Sequence, residues 1–177
     1  MKQFVLKFID IMIAIILGLG FQWWPNLVEP WQYVAFFFAY FSTVDYWIDY
    51  VPALKKYPPK TEIGLLADIL VLFSMFLLIY SAQKSITYFF VAFALFRAVD
   101  FIWMWRIRRE YTLFANDTIF FNTWLKFEGV EALVALGFAA FAANFSTQAL
   151  YLLLGFVVFR IVMRILASFR YKKIHFA

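Results

Sequence analysis

The sequence predicts an all-α integral membrane bundle, with six transmembrane helices arranged as three parallel, pseudo-repeated helical hairpins and both termini cytoplasmic. Three observations carry this. First, 66% of the 177 residues are hydrophobic, 24% are aromatic and only 15% are charged, more apolar surface than a soluble domain of this length can bury. Second, six segments are long enough for a hydrocarbon core, which takes about 17–25 helical residues. Third, a pattern recurs. Phe38-Ala39-Tyr40-Phe41-Ser42-Thr43-Val44-Asp45 is answered by Phe93-Ala94-Leu95-Phe96-Arg97-Ala98-Val99-Asp100 and by Phe156-Val157-Val158-Phe159-Arg160-Ile161-Val162-Met163. Phe, Phe and Val keep the same spacing in all three. Upstream of each copy an acid opens an apolar run, at Asp10, Asp68 and Glu131. The acid precedes the Val by 34 residues (Asp10 to Val44), 31 (Asp68 to Val99) and 31 (Glu131 to Val162). Periodicity of this kind defines architecture.

The first helix is expected over 4–24. It starts as a signal peptide does, but it contains Asp10, lacks a small-x-small cleavage site and carries the first repeat copy, so we read it as a retained membrane helix. The others are expected over 31–48, 63–82, 86–107, 127–145 and 148–169. A single transmembrane domain, 1–177, thus divides into hairpins at 4–50, 63–107 and 127–169 and a basic tail at 170–177. The turns within hairpins are short. In the connection after the first hairpin, Pro52, Pro58 and Pro59 are expected to break the helix. The connection 108–126 mixes Phe114, Ile119, Phe120, Phe121 and Trp124 with Asn and Asp, which suits a short amphipathic element lying in the interface. Ala14-x-x-x-Gly18 is a small-xxx-small contact face. Gly137 with Ala139, Ala140, Ala142 and Ala143 makes the fifth helix the smoothest, suited to close packing. The Phe-x-x-Phe-x-x-Val stripe reads as a packing seam between hairpins.

Charge gives the orientation. Lys2, Lys55, Lys56, Lys60, Arg108, Arg109, Lys126, Arg170, Lys172 and Lys173 lie in the connections and termini, whereas the hairpin turns carry only Lys84. The positive-inside rule places both termini in the cytoplasm. All three hairpins then enter with the same orientation, related by an axis along the membrane normal. The net charge of +5 collects at membrane edges, where the bilayer is the partner and nucleic acid is not. There is no cysteine, and the one histidine, His175, lies near the C-terminus. A metal site, a cofactor and catalytic residues are therefore not expected, and no phosphate loop, zinc motif or nucleophile elbow marks an enzyme.

The remaining charges fall in one layer. Asp10, Asp68 and Glu131 lie a turn or two into the odd helices. Asp45 and Asp49, Arg97 and Asp100, and Arg160 and Arg164 lie in the inner half of the even helices. Ionisable groups at such depth face a bundle interior or water. Each even-helix pair is three or four residues apart and shares a helical face. The interval from acid to arginine is 29 residues from Asp68 to Arg97 and from Glu131 to Arg160, which predicts two equivalent ion pairs. The first hairpin has Ser42 in place of the arginine. Its surplus carboxylate either is closed by Arg164 onto Asp45 or Asp10, a structural staple, or binds a cation or carries protons.

Phe8-Ile9-Asp10 followed by Ile11-Met12-Ile13-Ala14-Ile15, with Tyr46-Trp47 in the second helix, resembles the prokaryotic TMEM175-type (six-helix) potassium channel family. Its first helix carries Arg-x-x-x-Phe-Ser-Asp before an Ala- and Ile-rich run. Phe4 stands at the arginine position and Ile9 at the serine. The resemblance implies a homo-tetramer in a cell membrane, with the first helix lining a pore, Ile15 near its hydrophobic constriction and Asp10 in a structural or gating role. The expected function is a small cation channel or transport subunit of a prokaryotic cytoplasmic membrane, acting as a homo-oligomer or with other membrane subunits. The alternatives are a non-catalytic subunit of a larger membrane complex and a substrate-capturing component of a transporter.

Overall fold

The computed structural model describes residues 2–145 and 148–171, excepting the side chains of 2–5 and 171. His175, Lys172, Lys173 and residues 146–147 lie outside the described residues. Within them the chain is all-α. It comprises α1 (Lys2–Gly20), a 3-10 helix (Phe21–Asn26), α2 (Pro30–Lys56), α3 (Glu62–Ser81), α4 (Ile86–Glu110), α5 (Ala115–Ala142) and α6 (Ala149–Tyr171). Four segments, Leu6–Asn26, Glu62–Ser81, Ile86–Glu110 and Ala149–Arg170, are long and apolar enough to cross a membrane. α2 and α5 are longer still, but α5 carries the buried acids Asp117, Glu128 and Glu131, and α2 the half-buried Asp45 and Asp49.

Local chemistry sets the helix starts. Pro30 opens α2, where its missing N–H costs nothing, and Gln32 Oε1 accepts from the backbone N–H of Val28 and Glu29 at 2.7 and 2.9 Å. Thr61 caps α3 by accepting from Gly64 N at 3.1 Å, and Ser85 caps α4 by accepting from Tyr88 N at 3.2 Å. Such caps satisfy donors that a helix start leaves orphaned.

Two boundaries differ from expectation. α2 runs through Pro52 to Lys56. Only one backbone hydrogen bond is lost there, a loss that neighbouring helices make tolerable in membrane helices. The stretch expected to lie in the interface is instead the start of α5, which continues unbroken from Ala115. Phe120, Phe121 and Trp124 are buried against the bundle, and that burial draws the segment into the helix.

α2 through α6 pack in succession, and α6 returns to α2, closing a ring. α1 packs against α2 and α3. The most extensive pairing joins α4 to α5. The three turns gather at one end of the bundle, where Glu29, Lys84, Ser85 and Ala149 border a common cleft and Asn26 bonds Gln83 at 3.3 Å. The two longer connections meet at the other end. There Lys60 Nζ donates to Glu110 O at 2.7 Å, and the Tyr111 hydroxyl donates to Pro58 O.

The first phenylalanine of each repeat copy meets the other two. Phe38, Phe93 and Phe156 have ring centroids 5.7, 6.0 and 4.9 Å apart. Phe89, Phe90 and Phe138 complete an edge-on aromatic layer around them. The second position diverges: Phe96 is buried while Phe41 is outward. Gly18, expected at a contact, has open space around it. On α1 the close-approach glycine is instead Gly20, its α-carbon facing the Tyr40 hydroxyl and Ile79. Gly137 is also open, whereas Ala135, Ala139 and Ala142 on the other face of α5 are buried.

Candidate functional site

Below the phenylalanine layer lies a buried ion network. Arg97 is 11 residues from the start of α4 and 13 from its end, so about 16 Å and 20 Å from its two ends at 1.5 Å per residue. Its guanidinium lies 4.9 and 4.6 Å from the Phe93 and Phe96 ring centroids, the cationic edge of the aromatic layer. Nη1 donates to Glu128 Oε1 at 2.9 Å, Nε pairs with Glu131 Oε2 at 3.0 Å, and Nη1 stands 4.0 Å from Asp100 Oδ2. Glu131 also holds Arg160 Nη1 at 3.2 Å. Arg160 reaches Asp45 at 3.6 Å, and Arg164 bridges Asp45 at 2.9 Å and Asp49 at 2.8 Å. Three helices, α4, α5 and α6, are thus tied together and then joined to α2.

The pairing expected from the 29-residue interval forms between Glu131 and Arg160. It does not form between Asp68 and Arg97. Asp68 Oδ1 instead accepts from the Tyr50 hydroxyl at 2.9 Å and from Trp103 Nε1 at 2.5 Å, with Arg106 Nη2 at 3.8 Å. The reason is the α4–α5 contact. Glu128, one turn before Glu131 on the same face, reaches Arg97 first. Arg164 closes onto Asp45, not Asp10. Asp10 is exposed on α1 and accepts only from Trp47 Nε1, at 3.1 Å, among the described bonds. Ile15 lies on the outward face of α1 with Ile11 and Leu19, away from the ion network.

The network divides by burial. Asp100, Glu128, Glu131, Arg97 and Arg160 are 2, 1, 0, 1 and 7% exposed. Asp45, Asp49 and Arg164 form a more accessible rim, their side chains 35, 18 and 26% exposed. With every group ionised, the buried set holds three carboxylates against two guanidiniums, a surplus of one negative charge. The first hairpin keeps its own surplus at the rim, where Asp45 and Asp49 share Arg164, and the buried surplus, not expected from the sequence, lies at Asp100 and Glu128. A cavity of about 30 Å3 adjoins it, lined by Asp45, Tyr46, Asp49, Asp100, Glu128 and Arg160 among others. That is room for a water-sized occupant. The Tyr46 hydroxyl donates to Asp100 Oδ1 at 2.9 Å, and its ring stacks on Tyr50 at 5.0 Å. Asp45 and Arg160 also line a wider groove between α2 and α6, walled by Phe37, Phe41, Ile161 and Ile165.

Sequence reasoning missed Glu128, Arg106, Tyr46, Tyr50 and Trp103. Glu128 carried a signal, since it lies within the expected helix 127–145 and, three residues before Glu131, shares a face with it. The tyrosines and Trp103 carried none that separated them from ordinary core aromatics.

A second polar knot ties the connections. Asp117 is buried and takes Lys56 Nζ at 2.6 Å and the Tyr57 hydroxyl at 2.6 Å. Burial, then the hydrogen bond to Asp117, pushes the Tyr57 phenol well above its ordinary value. No protein-family model, no curated protein sequence and no solved structure matches the chain.

Proposed function

We propose that this protein is a small-cation transport subunit of a membrane, with its cation site inside the chain at the Asp100–Glu128 end of the ion network. The observation that carries this reading is the surplus buried carboxylate beside a water-sized cavity. An uncompensated charge at this depth is costly, so a mobile positive charge is the natural complement. In this reading all six helices cross the bilayer as three pseudo-repeated hairpins, with α2 and α5 turning their charges inward. The basic connections and termini face the cytoplasm. The cavity communicates with that side through the Asp45–Asp49–Arg164 rim, and the Phe38–Phe93–Phe156 layer is the closed gate on the other. No chemistry is asked of the chain, which acts as a conduit and not as an enzyme.

The test is flux into liposomes holding purified protein, with potassium, sodium and protons compared. Flux of at least one ion, reduced in Asp45→Asn but kept in Asp10→Asn, is the expected result. Well-folded protein that passes none of them would refute transport. A structural subunit is the second reading, favoured by one observation: Arg164 staples α6 to two acids of α2. Under it the same variants would lose stability or assembly and never carry flux.

A further inference from the structure

The arrangement of Asp100 and Glu128 narrows what the cavity holds. Both carboxyl groups face Arg97 Nη1, Glu128 Oε1 at 2.9 Å and Asp100 Oδ2 at 4.0 Å, and both line the same cavity, yet two carboxylates are both acceptors. Arg97 serves Glu128 Oε1, and Tyr46 serves Asp100 Oδ1. Glu128 Oε2 is buried and has no donor. Every other charge packed against the pair already faces a carboxylate, though Arg97 Nη2 makes no hydrogen bond of its own. On α5, Glu131 is held by Arg97 and Arg160. On α6, Arg160 and Arg164 are turned to Glu131, Asp45 and Asp49. On α2, Tyr50 donates to Asp68 of α3. Glu128 Oε2 lacks a donor, and the buried set lacks one positive charge.

A single proton supplies both. On either carboxyl it supplies a donor where there were only acceptors and brings the buried set to neutrality. A metal cation fits less well. Hard cations seek several oxygen ligands, and among the described residues no group of three or more acidic or histidine side chains is placed to hold one. We infer that the cation held in this chamber is a proton shared between Asp100 and Glu128, exchanged with water in the adjoining cavity. This rests on reading the chamber as a cation site.

Infrared spectroscopy of the protein in lipid bilayers tests it. At neutral pH the wild type should show a carboxylic acid C=O band that shifts slowly on transfer to heavy water. Glu128→Gln and Asp100→Asn keep the shape and the hydrogen-bonding capacity of the pair, and each should abolish that band. Absence of the band in folded wild type, or its survival in both variants, overturns the inference. The flux measurement separates this from the transport reading. Potassium or sodium flux with no such band would sink the proton and leave transport standing. The band without flux of any ion would leave the proton in place and sink transport.

Discussion

Glu131 is the residue on which the buried network turns, and its replacement has a calculable cost. Its side chain is fully buried and faces two guanidiniums, Arg97 at 3.0 Å and Arg160 at 3.2 Å. Glu131→Gln keeps the shape and removes the charge, so two cations lose a shared counter-ion. Breaking a buried pair by removing one partner costs about 3–5 kcal/mol. Arg97 keeps Glu128 and Arg160 keeps Asp45, which places the expected loss at the low end, about 3 kcal/mol. Asp10→Asn is the control. Asp10 is exposed and makes one bond to Trp47, so its loss should stay below about 1 kcal/mol. Equilibrium unfolding in mixed micelles, followed by tryptophan fluorescence, reads both. If Glu131→Gln lay within about 1 kcal/mol of wild type, the network would not be the buried counter-ion system described above.

Three further outcomes follow from the geometry. Gly20→Ala must push against Tyr40 and Ile79 and should lower stability, whereas Gly18→Ala, in open space, should raise it by up to about 1 kcal/mol through helix propensity. Thermal melts of the two variants compare them directly. Reversing charge at Asp45 or at Arg164 alone should impair folding, and exchanging the two should restore much of it, as read by yield and monodispersity in detergent. Tyr57→Phe removes a hydrogen bond to a carboxylate and should cost about 1.5–3 kcal/mol at neutral pH. The Tyr57 phenol is raised in the folded state, so its contribution is intact below the ordinary tyrosine range, near about 10, and is lost as pH climbs above it. Alkaline unfolding curves should show that loss in the wild type and not in the variant.

The helices were legible because twenty apolar residues in a row admit few alternatives. α3 and α4 lie within a few residues of where hydropathy puts them. α5 was cut short at its start because Lys126 read as an edge charge and the Asn and Asp of 108–126 interrupt the apolar run. Phe120, Phe121 and Trp124 are buried there against the bundle, a packing that no local pattern reports. The charged layer was legible as a set, since Asp45, Asp68, Arg97, Asp100, Glu131 and Arg160 all turn inward. Its wiring was not. A spacing of 29 residues fixes how far apart two groups lie along a hairpin, but the partner is chosen by which neighbouring helix packs closest. That choice gave Arg97 to α5 and left Asp68 to Tyr50, Trp103 and Arg106. Phe38, Phe93 and Phe156, each the first Phe of a Phe-x-x-Phe segment, converge. Phe41 departs from its counterparts because α2 turns that face outward.

The central claim is that a carboxylate-rich chamber serves a small cation beneath a phenylalanine gate. Phe156 is buried against Phe38, Phe90, Phe93 and Phe138, so Phe156→Ala opens a gap in that layer. The most direct measurement is cation flux across liposomes holding wild type, Phe156→Ala, and Phe156→Ala combined with Asp45→Asn. The account predicts faster flux in Phe156→Ala and a return toward the background in the double variant. Equal flux in all three, with each shown to be folded, would contradict it.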